Sequence, residues 1–233
     1  MAIQTAAETK SASSSVRAGE APLYPVSIKL QGRRCLVVGG GVVALRKTSE
    51  LLACGARVRV VAPAWPADFS GLDENPDLTR VTRRFADPDL DGAVLAVAAT
   101  DDTEVQQEVA RRSFARGVLC NVVDVNDLCS FYVPATLRRG SLAVSVATDG
   151  AFPLLAVALR DFLAGIVGPQ FGPALRSLQA ARAAVRRAVP DDAPERTRLL
   201  RALLTPEALR MILEDRMDDF ENHAASWRRT AGA

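Results

Sequence analysis

A chain of 233 residues with 48% hydrophobic side chains is long enough for one large or two smaller domains, each with its own core. Its formal charge of +2 excludes nucleic-acid binding through bulk charge, and only a local basic patch could serve such a partner. No apolar run approaches the roughly 18 residues of a membrane span, so the reading is a soluble protein with no membrane partner.

The four cysteines, Cys35, Cys54, Cys120 and Cys129, form no C-x-x-C pair and read as buried hydrophobes in a reducing, cytoplasmic setting. Residues 1–22 are rich in Ala, Ser and Thr, carry Glu8, Lys10, Arg17 and Glu20, and lack the apolar stretch of a signal peptide. They read as a disordered leader, with an organelle transit peptide as the second reading.

The first predicted strand, 34–38, breaks on Gly39, Gly40 and Gly41 and continues as a helix over 42–54. Gly39, Gly41 and Ala44 satisfy the G-x-G-x-x-G/A spacing, which supplies a tight turn, close approach of backbone to a pyrophosphate, and close packing of helix on sheet. The helix N-terminus adds unpartnered N–H groups and partial positive charge facing the anion. Gly55 is placed for a left-handed helix cap, and a second strand follows over 57–61, completing a βαβ unit. The acidic residue that would hold the adenosine ribose is replaced by Ala62-Pro63-Ala64, and no basic residue directly follows that strand. This favours NAD over NADP.

Strands over 79–84, 93–98 and 118–123, with a helix over 103–116, continue the alternation and imply a parallel sheet covered on both faces. Thr100-Asp101-Asp102 precedes the second helix. It reads as a cap for exposed N–H groups and equally as part of the sheet's carboxyl edge, where dinucleotides bind. Asn121 and Asp124 follow at the end of the next strand, where Asp124 either turns the chain or serves as a proton acceptor and Asn121 either bonds loop backbone or faces the cofactor.

After Val123 the rhythm stops. Strands over 132–138 and 142–147 form a hairpin, marginal alone and in need of a partner sheet that a second copy of the chain could supply. Helices are predicted over 154–164, 173–189, 195–204 and 206–223, punctuated by Pro190 and Pro194. The predicted domains are a leader (1–22), a Rossmann-like nucleotide domain (23–131), a dimerisation region (132–168) and a C-terminal helical domain (169–233).

The blocks Gly39-Gly40-Gly41-Val42-Val43-Ala44-Leu45-Arg46-Lys47, Ala98-Ala99-Thr100-Asp101-Asp102, Asn121-Val122-Val123-Asp124 and Ser130-Phe131-Tyr132-Val133-Pro134-Ala135 resemble, in unbroken order, the dehydrogenase module of siroheme synthases. That family contains precorrin-2 dehydrogenases, many of which are also sirohydrochlorin ferrochelatases. The resemblance implies an α/β fold with a homodimerising region, and an NAD-dependent oxidation of precorrin-2 to sirohydrochlorin in siroheme biosynthesis. Ferrous iron would enter as a substrate, not as a structural metal. Gly39, Gly40, Gly41, Val42, Val43, Pro63, Ala64, Thr100, Asp101 and Asn121 would line the NAD site, and Asp124 would be the catalytic carboxylate.

Substrate contacts are expected at Ser130, Thr148, Gly150, Arg182 and Arg186. Where the family often carries a serine-rich loop, this chain reads Ala147-Thr148-Asp149-Gly150-Ala151-Phe152-Pro153, keeping one hydroxyl. Between residues 133 and 189 seven arginines face two aspartates, a basic excess suited to a tetrapyrrole polycarboxylate. Arg176, Arg182, Arg186 and Arg187 fall within an arc of about 140° on one helix, which a plain solvated face would also explain. The sole histidine, His223, lacks a spaced partner and reads as a surface residue, so no protein metal site is implied. An aspartate with an ordinary pKa of roughly 3.9 is a feeble base, so Asp124 would need burial to do this work.

Two other classes compete. A non-catalytic, dinucleotide-sensing Rossmann module would explain the glycines, hairpin and helices, but not the ordered blocks 121–124 and 130–135. An oxidoreductase for a carbonyl or hydroxyl substrate would more naturally place a histidine or lysine near the sheet edge, and none is there.

Overall fold

Cys35 to Val38 are all buried, so strand β1 (Arg34–Val38) is covered on both faces, as an interior parallel strand must be. It pairs in parallel with β2 (Arg57–Ala62) on one side and β4 (Ala93–Ala98) on the other. With β3 (Leu78–Thr82) and β5 (Leu119–Val122) the sheet order is β3-β2-β1-β4-β5. This is the expected α/β architecture, and the order reverses between β1 and β4, which opens a crevice at their carboxyl ends.

The computed structural model describes residues 21–72 and 74–231. Of the leader expected over 1–22, residues 1–20 lie outside them. The chain divides into two compact units, one ending at Tyr132 and the other starting at Val133.

In the first unit, helix α1 (Val42–Ala53) turns Ala44, Thr48 and Leu51 inward onto a core that includes Cys35, Val37, Val58, Val60, Phe69 and Val97. The opposite sheet face, with Leu36, Val38, Ala96, Ala98 and Val122, packs under helix α2 (Thr103–Ala115) through Val109 and Ala110. Each large apolar side chain buried this way contributes about 1.5–3 kcal/mol.

In the second unit, β6 (Ala135–Arg139) and β7 (Leu142–Val146) form the predicted antiparallel hairpin, backed by α3 (Pro153–Ile166). Helices α4 (Phe171–Ala188), α5 (Ala193–Leu203), α6 (Pro206–Leu213) and α7 (Met217–Ala231) pack around Ala174, Ala181, Leu203, Ala208, Ile212, Phe220 and Ala224.

One helix predicted over 206–223 is two. Asp215 adopts φ 57°, and the break lets both α6 and α7 turn apolar faces to the bundle. The surface position expected for His223 also needs correction. The residue is half-buried, and its Nε2 donates to the Leu203 carbonyl at 2.9 Å, closing the end of α5. Among the described residues no single helix is long and apolar enough to cross a membrane.

Candidate dinucleotide and catalytic site

The glycine turn leaves β1 at the point where the sheet order reverses. The Gly39 N–H donates to Val61 O at 2.9 Å and the Ala99 N–H to Val38 O at 2.8 Å, tying the turn to the ends of both neighbouring strands. Gly39 has φ 129°, a backbone conformation that side chains strongly disfavour, and a Cβ there would lie 2.0 Å from Ala99 O. At Gly40 a Cβ would lie 2.3 Å from Ala64 O. These two glycines are therefore required by the chain's own packing.

Gly41 differs. A Cβ there would meet nothing within 4 Å, and the backbone has φ −79°, which any residue adopts. Chain packing leaves this glycine unexplained, whereas a ligand approaching the backbone accounts for it. Gly41 caps α1 without a side-chain hydrogen bond, and the first helical turn carries no acidic residue. Leu45 N–H closes the first turn on Gly41 O at 3.0 Å, so the N–H groups of Val42, Val43 and Ala44 precede the helical ladder. Val42 and Val43 are exposed there. Open space above a helix N-terminus with no side-chain cap and no acidic residue in its first turn fits a dinucleotide pyrophosphate.

Beside the turn lies a crevice of about 130 Å³ lined by Val38, Gly39, Val61, Pro63, Arg84, Phe85, Thr100, Asp102 and Val105. The two readings of the 100–102 loop hold together. Asp102 Oδ1 accepts from Val105 N–H at 3.2 Å to cap α2, Thr100 O accepts from Gln106 Nε2 at 2.7 Å, and both residues also line the crevice. Asp101 is exposed and lies outside this lining, and so does Ala64, whose carbonyl packs against Gly40.

Arg84, Phe85 and Val105 carry no sequence signal that marks them as site residues, whereas Asp102 belongs to the loop expected at this edge. Arg84 and Phe85 follow an edge strand, and no local pattern marks them.

Asp89 fixes that wall. Its side chain is fully buried and receives Arg83 Nη1 and Nη2 at 2.7 Å each, the Ala86 N–H at 2.9 Å and Arg59 Nη1 at 3.4 Å. Burial acts to raise the Asp89 carboxyl, but the Arg83 hydrogen bond, the Ala86 N–H, the Arg83 charge and the Arg59 bond together hold it below its ordinary value. Arg83 Nη1 also donates to Arg84 O at 2.9 Å, anchoring the backbone from which Arg84 reaches the crevice.

Asp124 stands at the tip of the turn after β5, with φ 63°. Val123 N–H donates to Ala98 O at 2.9 Å and Val125 N–H to Val122 O at 3.3 Å. The carboxylate lies at the carboxyl edge, as expected, but within one chain it is exposed and not buried. Asn121 Nδ2 donates to Phe131 O at 3.1 Å and approaches Cys129 Sγ at 3.5 Å. Its amide thus holds the 129–131 segment, the structural reading weighed from sequence.

Ser130 Oγ accepts the Cys120 N–H at 2.7 Å and donates to Cys120 O at 3.3 Å, so this hydroxyl satisfies the edge of β5 that faces away from β4. Burial pushes the Cys35 and Cys120 thiols up to about 11.

In the second unit, Thr148 Oγ1 accepts the Phe152 N–H at 3.3 Å beside Asp149 (φ 48°) and Gly150 (φ 75°). Arg182 and Arg186 are exposed on α4, each about 100° round the helix from the buried residue before it, Ala181 and Val185 respectively.

The sheet order, glycine turn and open helix terminus define a Rossmann-type nucleotide-binding protein, and residues 26–135 match a family model described as putative NAD(P)-binding. The chain is 43% identical over 168 residues to a siroheme synthase of Chromobacterium violaceum, covering 72% of this chain and 36% of that protein. It is 38% identical over 197 residues to one of Methylococcus capsulatus, covering 84% and 41%. Among solved structures it resembles SirC, precorrin-2 dehydrogenase, with a TM-score of 0.69 and 25% identity over 86% of this chain and all of that one. The chain belongs to the family of these siroheme synthases and spans about two fifths or less of their length.

Proposed function

We propose that this protein catalyses the NAD-dependent oxidation of precorrin-2 to sirohydrochlorin, a step of siroheme biosynthesis. The observation that carries the reading is an open dinucleotide cradle at Gly41 on the same sheet edge as the Asp124 turn, in a homologue of siroheme synthases.

NAD, when bound, accepts a hydride. The chain's own residues do the rest. The α1 N-terminus holds the pyrophosphate, the crevice beside Pro63 and Thr100 orients the adenosine half, and the turn after β5 offers a carboxylate oxygen for the proton released from the macrocycle. The left-handed Asp124 backbone, which costs about 1–3 kcal/mol for a non-glycine residue, is the kind of strain found at functional sites. Burial of Asp124, which the single chain does not supply, comes in this reading from bound substrate.

Arg182 and Arg186 are assigned to substrate carboxylates, with Thr148 and Gly150 at the loop before α3. Ferrous iron enters as a second substrate carried to the tetrapyrrole. Among the described residues no three His, Cys, Asp or Glu side chains gather to hold a resident ion. A homodimer in the cytoplasm completes the reading. It is supported by Leu154 (71% exposed) and Phe162 (68% exposed) on α3, with Leu155, Leu159 and Ile166 also exposed beside an isolated two-stranded sheet.

The test is anaerobic: precorrin-2 and NAD are supplied, sirohydrochlorin absorbance is followed, and ferrous or cobaltous ion is then added. Asp124→Ala is expected to slow oxidation by about 10²–10⁴-fold while NAD binding and folding persist. Equal rates would exclude Asp124 as the base, and absence of NAD-dependent product with the wild type would overturn the function.

A further inference from the structure

The end of β2 and the turn that leaves it, Ala62-Pro63-Ala64, carry neither the carboxylate that holds a free adenosine ribose and repels a 2′-phosphate nor a cation that would attract one. The sheet order supplies the cation from elsewhere. β3 pairs with β2 in register Val61↔Val81 and Ala62↔Thr82, so the residues leaving β3 emerge beside those leaving β2. Arg84 thereby shares the crevice wall with Pro63, Val61 and Gly39.

The two consecutive arginines here have opposite fates. Arg83 is bound at both terminal nitrogens by buried Asp89 and also holds the Arg84 carbonyl. Arg84 has a side chain 78% exposed, whose ion pair is a 3.8 Å approach to Asp102 Oδ2. An exposed pair at that separation holds an arginine weakly, and Asp102 already spends Oδ1 on the α2 cap. Arg84 is therefore a cation with an anchored backbone and a side chain free to turn. Its planar fork suits a phosphate dianion.

We propose that Arg84 forms a 2′-phosphate subsite, so that the crevice takes NADP as well as NAD. Arg84 and Asp102 are the charged residues lining it. Asp102 opposes the added phosphate, and Arg84 outweighs it because it contacts the phosphate directly. This inference rests on the dinucleotide reading above and deepens it.

Calorimetric titration of the full chain with NAD, NADP, 5′-ADP and 2′,5′-ADP tests the proposal. The wild type is expected to bind NADP within about tenfold of NAD, and 2′,5′-ADP more tightly than 5′-ADP, in a salt-dependent manner. Arg84→Ala should shift the NADP-to-NAD affinity ratio against NADP by about tenfold or more, the worth of a charge-assisted contact, and Arg84→Glu further. Arg84→Lys should recover part of the ratio. Asp102→Asn, which still caps a helix, should move the ratio toward NADP.

A wild type that binds NAD but not NADP, or an unchanged ratio in Arg84→Ala, overturns the subsite and leaves the dinucleotide site standing. A folded wild type that binds neither dinucleotide overturns both.

Discussion

Replacing Gly41 by alanine separates folding from cofactor binding. The backbone at Gly41, φ −79° and ψ −178°, is open to any residue, and the added Cβ meets no atom within 4 Å. The folding cost is then the change of helix cap alone, about 1 kcal/mol or less. At about 4 °C per kcal/mol for a domain of this size, the melting temperature should fall by no more than about 4 °C. The same methyl occupies the space where the pyrophosphate must approach the N–H groups of Val42 and Val43. Losing even one charge-assisted hydrogen bond costs about 1.5–3 kcal/mol, or roughly tenfold to a hundredfold in affinity.

Gly39→Ala is the control. A φ of 129° adds strain of about 1–3 kcal/mol, and a Cβ 2.0 Å from Ala99 O adds an overlap of comparable size. The sum, about 2–6 kcal/mol, corresponds to a drop of roughly 10–25 °C. Thermal unfolding and NAD titration on both variants make the comparison. A Gly41→Ala protein that binds NAD as tightly as the wild type would refute the placement of the pyrophosphate and with it the reason given for this glycine.

Other outcomes follow from the same structure. Asp89→Ala should destabilise the first unit by about 1–3 kcal/mol, because it leaves the Ala86 N–H without its acceptor beside a void while the partly exposed Arg83 and Arg59 turn to water, and denaturant unfolding reads this directly. Asp89 titrates in the folded state below its ordinary range, so its contribution is complete above about pH 4 and is lost as pH falls through the lower folded value. In Asp89→Asn that acid-side slope should flatten.

With Cys35 and Cys120 raised to about 11, a thiol reagent at pH 8 should label exposed Cys54 readily and those two only on unfolding. Fast labelling of all three would contradict the burial. Charge reversal at Arg182 and Arg186 should raise the apparent KM for the tetrapyrrole by about tenfold with little change in kcat, and an unchanged KM would remove α4 from the substrate site.

The alternation of strand and helix was legible because each signal is local: β4 and all of β1 after Arg34 are unbroken apolar runs, and the glycines, caps and helix periods lie within a few residues of one another. The split of α6 from α7 was not. Residues 206–223 keep a helical pattern throughout, and only the need to pack two faces into one bundle bends the chain at Asp215.

Within the site, Gly39, Gly40 and Gly41 look alike in sequence. Only the positions of the Ala99 and Ala64 carbonyls distinguish the two that packing requires from the one that faces open space. Asn121 and Ser130 were legible as polar residues in a block, but their hydrogen bonds to Phe131 and Cys120 appear only once that segment folds back along β5.

The sequence alone determined the α/β class, the glycine turn after the first strand and the position of Asp124 at a strand end, because these depend on neighbours in the chain. Tertiary structure decided which side chains share the crevice. Arg84 reaches Pro63 and Gly39 because β3 lies beside β2 and β2 beside β1, a strand order that no local stretch of sequence encodes.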